Sequence, residues 1–280
     1  PYGTWYVREI EQPAGFVLDD TIYPVTINAD GQVVEIEIVN RYVRGNIHLT
    51  KVDSEYPDNK LTGATFEIYK DSNANGKLDD GDELLGTLTE KEIGEYGMND
   101  LFYGRYFVKE TKAPEGFVLD TGVYEVMIDT NGKTYEVENK AGVGFINDAM
   151  RGNLKIIKTS SDGKVKGFAF RITGANGYDI ILETNDKGEI FIDGLRIGDY
   201  TISEVSNSAS SMYVIPADKK ATVKIGSTTI VEMHNVLRDT PKTGDTTNLP
   251  LLYTLAGLSA VGIAVCGVIG FKKKKKEDRN

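Results

Sequence analysis

One polar layout occurs twice in the chain. In both places an asparagine is followed by Arg-Gly-Asn and then, eleven residues after the asparagine, by a lysine; the two stretches are Asn40 to Lys51 and Asn147 to Lys158. Each stretch is interpreted as the last strand of one unit running into the first strand of the next. Because a repeat gives every copy the same architecture, this feature constrains the fold more than any other in the sequence.

Longer segments extend the repeat to most of the chain. The segment RYFVKETKAPEGFVLD (105–120) matches TWYVREIEQPAGFVLD (4–19), and GDYTISEV (198–205) matches GRYFVKET (104–111). We therefore divide the chain into a first copy (1–44), which corresponds to the C-terminal half of a truncated domain, a second copy (45–150) and a third copy (151–238).

Short runs such as TWYVRE and VVEIEIVN alternate between apolar and polar residues and are separated by turn signals. This period of two, without a helical period, predicts strand after strand. The expected fold class is all-β, a tandem series of antiparallel sandwiches, followed by one transmembrane helix near the C-terminus.

Aligning the copies places lysine, glutamate and asparagine at matching positions. In a strand, residues two apart share a face, and each of these polar residues is in phase with apolar neighbours, as Glu110 is with Tyr106 and Val108. The alternation therefore predicts that all eight point inward. They are Lys51, Glu110 and Asn147; Lys158, Glu204 and Asn235; and the partial set Glu9 and Asn40.

Burial of these groups predicts a reaction between them. Desolvation drives a lysine towards its neutral, nucleophilic amine and a glutamate towards its protonated acid. The acid could donate a hydrogen bond to the asparagine amide oxygen, so that attack by the amine expels ammonia and leaves an amide bond. The alternative is a buried Lys–Glu ion pair beside a hydrogen-bonded asparagine. Asn139 competes with Asn147 for the role but breaks the eleven-residue spacing.

On these residues, the three copies resemble the B-type domains of collagen adhesins and Gram-positive pilins. The resemblance covers residues 1 to 238 and implies prealbumin-like sandwiches with intramolecular isopeptide bonds. It assigns one bond to Lys51 and Asn147 with Glu110 beside them, and another to Lys158 and Asn235 with Glu204.

An acidic loop within the second copy resembles a calcium-binding loop. In DSNANGKLDDGD (71–82), oxygen-bearing residues follow the order of such a loop, although Asp82 stands where a bidentate glutamate is usual. The alternative is a solvated Asn/Gly/Asp turn. The candidate calcium ligands are Asp71, Asn73, Asn75, the Lys77 carbonyl, Asp79 and Asp82.

The C-terminal region has three signals in sequence. Thr240-Pro241-Lys242-Thr243-Gly244 precedes an uncharged run at 249–271, long enough to span a bilayer as a helix, and a basic tail at 272–280. This order resembles the cell-wall sorting signal read by sortases, with Thr240 in place of the family's leucine. The resemblance implies cleavage between Thr243 and Gly244 and transfer of Thr243 to peptidoglycan or another pilin. A plain membrane anchor is the alternative.

Net charge and cysteine content limit the classes of function that the sequence can support. The formal net charge is -10, so the surface should repel nucleic acid, and the one cysteine, Cys266, excludes an internal disulfide. The chain starts at Pro1 without a methionine, which predicts a fragment. We expect a cell-wall-anchored adhesin or stalk on the extracellular side, a sortase substrate and not an enzyme, with an unidentified host or cell-surface ligand. The alternatives are a pilus subunit polymerised by sortase and the stalk of a surface enzyme whose catalytic domain precedes residue 1.

Overall fold

The first copy consists of two small antiparallel ladders. The computed structural model describes residues 1–239, and those residues are almost entirely strands, turns and loops. In the first copy, β1 pairs with β3 and β2 with β4. The strands are β1 (Gly3–Val7), β2 (Phe16–Val17), β3 (Tyr23–Ile27) and β4 (Arg41–Tyr42).

The second copy forms two facing sheets. One has the order β11-β10-β6-β7, and the other has the order β12-β5-β9-β8 with β13 paired to the far half of β5. The strands are β5 (Arg44–Asp53), β6 (Thr65–Lys70), β7 (Glu83–Thr87), β8 (Thr89–Glu92), β9 (Glu95–Phe102), β10 (Gly104–Lys112), β11 (Val123–Ile128), β12 (Thr134–Glu136) and β13 (Phe145–Asn147).

The third copy repeats this two-sheet plan. Its sheets have the orders β17-β14-β21-β19 and β16-β15-β18-β20. The elements are β14 (Arg151–Ser160), β15 (Ala169–Thr173), a 3-10 turn (Ala175–Gly177), β16 (Asp179–Glu183), β17 (Glu189–Arg196), β18 (Gly198–Val205), β19 (Tyr213–Val214), β20 (Lys219–Val223) and β21 (Thr228–Leu237).

The prediction of purely antiparallel sheets is wrong at one place in each complete copy. The first strand runs parallel to the last: β5 pairs in parallel with β12 and β13, and β14 pairs in parallel with β21 over eight residues. The intervening chain crosses to the opposite sheet, which brings the last strand back beside the first in the same direction. The two strands that carry the lysine and the asparagine are therefore neighbours.

Alternation along the strands creates the cores. In β5, every second residue from Gly45 onwards is buried, including Ile47, Leu49 and Lys51. Tyr106 and Val108 in β10 and Phe145 in β13 complete the same core. The period of two read from the sequence therefore places the polar residues of the second copy among its apolar ones.

The first copy differs from the expectation. Residues 33–40 alternate in sequence but form no strand, because no neighbouring strand pairs with their backbone among the described residues. The apolar side chains on the face of Glu9 are exposed, with Trp5 at 47% and Val7 at 40%, and Glu9 and Asn40 are half-buried. Two short ladders without a facing sheet cannot enclose a core.

The second and third copies are joined by charged residues. The guanidinium of Arg196 donates to both carboxylate oxygens of Asp53, at 2.6 and 2.7 Å, and also to Glu55. Arg151 forms an ion pair with Glu55 as well. Asp53 is almost fully buried, so its ion pair with Arg196 is shielded from water, whereas Glu55 and Arg151 are exposed to it.

Among residues 1–239, no helix is long and apolar enough to cross a bilayer. The predicted motif (240–244), span (249–271) and tail (272–280) lie outside the described residues.

Candidate functional site

Lys51 and Asn147 meet in the core of the second copy. In the parallel β5–β13 ladder, Asn147 is opposite Asp53, which is two residues after Lys51. The side chains of Lys51 and Asn147 both point into the sandwich. The Lys51 Nζ atom contacts the Asn147 Oδ1 atom and donates a hydrogen bond to the Phe145 carbonyl at 3.0 Å. The exposed fractions are 0% for Lys51 and 3% for Asn147. The amine and the carboxamide are therefore in contact and shielded from solvent.

Glu110 in β10 lies between these two groups. Its Oε2 atom accepts a hydrogen bond from Asn147 Nδ2 at 2.8 Å, and its Oε1 atom is 3.9 Å from Lys51 Nζ. Oε1 has no hydrogen-bond partner among the described residues. One carboxyl group thus faces the amine with one oxygen and the amide nitrogen with the other.

Burial perturbs both ionisable groups in the direction that reduces charge. Desolvation lowers the pKa of Lys51 to about 8, against the opposing charges of Glu110, Asp120 and Asp53. Desolvation raises the pKa of Glu110, although hydrogen bonds from Asn147 and the Asp120 amide and the charge of Lys51 oppose the shift. A proton shared by this pair therefore moves between its members at a smaller free-energy cost than in water.

The observed contacts differ from the sequence-based expectation in one respect. Glu110 faces the Asn147 amide nitrogen and not its oxygen, which Lys51 contacts instead. Such a carboxyl group is suited to take a proton from the amine and to deliver one to the nitrogen that would leave as ammonia. Asn139, the alternative to Asn147, instead donates a hydrogen bond from its side chain to the Ile146 carbonyl and accepts one from the Ile146 N–H.

The third copy has the same backbone arrangement but a different lysine position. Asn235 is opposite Ser160, again two residues beyond the lysine, and its Nδ2 atom donates to Glu204 Oε1 at 2.6 Å. The Lys158 Nζ atom instead donates to the Thr159 carbonyl and lies 4.1 Å from the centroid of the Phe168 ring. Burial lowers the pKa of Lys158 and raises the pKa of Glu204. The structure therefore joins Glu204 to Asn235 and places the amine apart.

The first copy contains the glutamate–asparagine part of the site. Asn40 Nδ2 donates to Glu9 Oε1 at 2.6 Å, and no lysine accompanies them in residues 1–44. An open cavity of about 370 Å³ lies over the pair and is lined by Phe16 and Ile38 among others. The polar geometry of the second copy is thus retained here without a nucleophile.

Sequence reasoning missed Asp120 and Tyr124 beside the second site, and it missed the contact of Asn139 with Asp120. Asp120 accepts hydrogen bonds from Tyr124 Oη at 2.8 Å and from Asn139 Nδ2 at 2.6 Å, and its backbone N–H donates to Glu110 at 2.8 Å. The signal that could have found Asp120 is the segment GFVLD, which is identical in the first two copies and ends ten residues after each glutamate.

The candidate calcium loop connects β6 to β7. Asp71 accepts from the backbone N–H groups of Asn75 and Gly76 and lies 3.4 Å from an Arg105 nitrogen. Asp79 accepts from the side chains of Asn73 and Asn75. Asp82 accepts from the N–H groups of Ser72 and Asp79, and Lys77 donates its N–H to Asn75. Within residues 1–239, no group of three or more His, Cys, Asp or Glu side chains is arranged to hold a metal ion.

Comparison with a protein family accounts for most of the chain. Three ranges, 1–42, 45–141 and 152–236, match the family described as SpaA, a prealbumin-like fold domain. The matched ranges follow the three copies and include seven of the eight polar residues considered above; Asn147 falls between the second range and the third.

Individual relatives include a streptococcal surface protein and a pilin. The chain is 25% identical over 194 residues to the trypsin-resistant surface T6 protein of Streptococcus pyogenes serotype M6, with 58% of this chain and 34% of that protein covered. It is 27% identical to the Bacillus anthracis TIE protein, with a TM-score of 0.63 over 84% of this chain and 42% of that one. The minor pilin GBS52 of Streptococcus agalactiae matches at 19% identity and a TM-score of 0.34, covering 71% and 98%. The chain thus spans less than half the length of the first two relatives.

Proposed function

Because this chain belongs to the SpaA family of prealbumin-like fold domains, we propose that it is the stalk of a cell-wall-anchored adhesin whose domains are closed by isopeptide bonds. The observation that carries the proposal is the buried contact of Lys51 with Asn147 beside Glu110. Similarity to the streptococcal surface T6 protein supports a place on the surface of a Gram-positive cell.

The proposed reaction is a single condensation. Glu110 first takes a proton from the Lys51 ammonium, and the neutral Nζ then attacks the Asn147 carboxamide carbon. The protonated Glu110 gives its proton to the Asn147 nitrogen and takes the proton that the attacking amine loses. The carbon–nitrogen bond of the carboxamide breaks, ammonia leaves, and an amide joins the two side chains. No oxidant and no external acid is needed, and the protein performs the reaction once, on itself.

The same chemistry is proposed for Lys158, Glu204 and Asn235. The equivalent register of the β14–β21 ladder supports it, because only the lysine side chain has to turn to reach the asparagine. For the first copy, Glu9 and Asn40 are the matching partial site. We propose the same domain division as above, with a partial domain at 1–44 and complete domains at 45–150 and 151–238.

Attachment to the wall is proposed through the motif at 240–244. A sortase would cleave between Thr243 and Gly244 and pass the Thr243 carbonyl to an amine of peptidoglycan or of another pilin. Support comes from the order of motif, uncharged run and basic tail in the sequence. Incubation with sortase and an amine nucleophile tests this, with Thr243→Ala as the variant expected to remain uncleaved.

A calcium ion is proposed for loop 71–82. Hydrogen bonds from Gly81 and the Asn75 side chain outweigh the effect of burial and lower the pKa of Asp79, so this exposed carboxylate is charged at neutral pH. A charged, solvent-facing carboxylate beside two asparagine side chains supports a hard cation as ligand.

Mass spectrometry tests the isopeptide bond directly. A tryptic digest of the full chain should contain a branched peptide joining Lys51 to Asn147, and the intact mass should be lower by one ammonia for each bond formed. Glu110→Gln preserves the size of the side chain but cannot carry the proton, so it should retain the ammonia of the second copy. Lys109→Met, on the opposite face of β10, is the matched control and should still form the bond.

A linear peptide around Lys51 in the wild-type digest, with the full ammonia count in the intact mass, would contradict the proposal. The chain would then be a series of prealbumin-like domains with a buried Lys–Glu pair.

A further inference from the structure

In each of the first two copies, a backbone N–H donates a hydrogen bond to the glutamate, and the third copy lacks the equivalent donor. The N–H of Asp120 donates to Glu110 Oε2 at 2.8 Å, and the N–H of Asp19 donates to Glu9 Oε2 at 2.8 Å. In both cases the donor is ten residues after the glutamate. In the second copy this N–H bonds Oε2, whereas the oxygen 3.9 Å from the Lys51 amine is Oε1.

A side-chain turn holds the donor in place. Asp120 Oδ1 accepts from the Gly122 N–H at 2.6 Å, and Oδ2 accepts from the Tyr124 hydroxyl at 2.8 Å. The first copy repeats both contacts, with Thr21 and Tyr23 bonded to Asp19. The aspartate therefore organises the loop that presents its own N–H to the glutamate.

Asp120 also acts on the strand that carries the asparagine. It accepts from Asn139 Nδ2 at 2.6 Å, and Asn139 in turn bonds both backbone groups of Ile146, at 2.6 and 2.8 Å. Ile146 directly precedes Asn147. One carboxylate thus braces both the acid and the carboxamide of the site.

The third copy naturally lacks this aspartate. Position 214, ten residues after Glu204, is a valine in β19. Glu204 Oε2 is buried and has no hydrogen-bond partner among the described residues. The glutamate of the third copy is held by Asn235 alone.

We propose that Asp120 is a positioning residue for isopeptide formation in the second copy, acting through Glu110 and through Asn139. The inference rests on the proposed bond between Lys51 and Asn147. Asp120 does not contact the reacting amine; it fixes the two groups that the amine must meet.

The same cluster supplies a route for the ammonia. A cavity of about 300 Å³ is lined by Val118, Asp120, Tyr124, Asn139 and Asn147. The Asn147 Nδ2 atom points to its wall, where it donates to the Val118 carbonyl at 2.6 Å. When the carboxamide carbon–nitrogen bond breaks, the departing nitrogen is thus already at the wall of the cavity that Asp120 also lines.

The test compares rates of bond formation. Full chains are synthesised in a cell-free reaction, quenched at intervals in denaturant, digested, and the branched Lys51–Asn147 peptide is quantified. Asp120→Ala removes the turn and is expected to slow the reaction about tenfold or more, the effect of losing a charge-assisted hydrogen bond. Asp120→Asn keeps the Gly122 bond and should recover part of the rate. Asp148→Ala, which removes another acidic side chain lining the cavity, is the control and should react like the wild type.

Stability is separated from positioning in a Lys51→Ala background, where no bond can form in any variant. Similar melting temperatures with and without Asp120→Ala, together with the slow reaction, support positioning. Equal rates for Asp120→Ala and wild type overturn it while leaving the bond intact. Absence of the branched peptide from the wild type itself would refute the proposed function instead.

A separate observation concerns Lys158. The β6–β10 and β15–β18 ladders pair Phe66 with Glu110 and Phe170 with Glu204, so these phenylalanines correspond. Two residues earlier, the second copy has Ala64 and the third has Phe168. The Phe168 ring is the group over which the Lys158 amine lies.

We infer that Phe168 delays bond formation in the third copy by holding the Lys158 amine away from Asn235. A desolvated ammonium over an aromatic face is stabilised by the ring quadrupole. The Lys51 amine also lies 5.3 Å from a ring centroid, but that ring is Phe145 on the asparagine's own strand, so it does not draw the amine away from Asn147. The third bond should therefore form more slowly than the second within the same chain.

Phe168→Leu removes the aromatic face but keeps most of the volume, and Phe170→Leu is the matched buried control. In the same quenched time course, Phe168→Leu should speed formation of the Lys158–Asn235 peptide about fivefold, and Phe170→Leu should not. An unchanged or slower rate for Phe168→Leu would overturn the inference. If the branched peptide is absent from the wild type and both variants, the proposed bond of the third copy itself fails.

Discussion

Replacing Lys51 by methionine should strongly destabilise the second copy. Methionine retains the apolar stem but cannot form the bond. The bond would close a loop from residue 51 to residue 147, about 96 residues, for which the chain-entropy relation gives about 4.7 kcal/mol at 25 °C. In the bonded wild type the Lys51 nitrogen is a neutral amide, so the substitution removes no buried charge, and we expect a net loss of about 4 kcal/mol.

Differential scanning calorimetry of the full chain measures the effect. For a domain of this size the loss corresponds to a decrease of about 20 °C in the melting temperature of one transition, while the transition of the third copy should remain. Lys77→Met, at an exposed position, controls for the substitution itself. Glu110→Gln also lacks the bond and should melt near Lys51→Met.

If the bond of the wild type is verified by mass, melting temperatures of the wild type and Lys51→Met that agree within about 3 °C would refute the entropic reasoning. In that case the native sheets alone would set the stability, and the bond would matter only under force.

Three further outcomes are expected. Bond formation should be fastest at pH values between the raised pKa of Glu110 and the lowered pKa of Lys51, which is about 8. In that range the pair holds the one proton that the reaction transfers. A rate that keeps rising to about pH 10 would contradict this. Calcium should raise the melting temperature of the second copy, and Asp79→Asn should remove the increase; no response of the wild type to millimolar calcium would exclude a site in the loop. Arg196→Met leaves Asp53 buried and unpaired, so it should broaden the pair-distance distribution from small-angle scattering. Arg171→Met, whose ion pair is exposed, should not. Equal broadening by both variants would contradict the role of the joint.

Much of the second copy could be predicted from the sequence, because alternation determines which residues face the core. The parity of Lys51, Glu110 and Asn147 relative to Leu49, Val108 and Phe145 places all three inside, where the structure has them. The parallel pairing of first and last strands could not be predicted, because alternation within a strand is the same for either direction of its neighbour.

Side-chain conformations were equally inaccessible. Lys51 and Lys158 have the same strand register relative to their asparagines, yet their amines point to different partners. The Lys158 amine lies over Phe168, which is outside the strand pair that carries the lysine and the asparagine. Likewise, 33–40 has the pattern of a strand but lacks a neighbour to pair with, and no property of the segment itself reveals that.

Asp53 gives the joint between copies a further meaning. It is opposite Asn147 in the β5–β13 ladder and is also the residue that Arg196 grips. The polypeptide itself runs from Asn147 to Arg151, the first residue of β14, so tension from the third copy would enter the second at the residue that the proposed bond would lock to Lys51. The Arg196–Asp53 ion pair holds the copies together beside that point, and a stalk built in this way would pass tension from one crosslink to the next along covalent bonds, with little of the load on the hydrogen-bonded sheets.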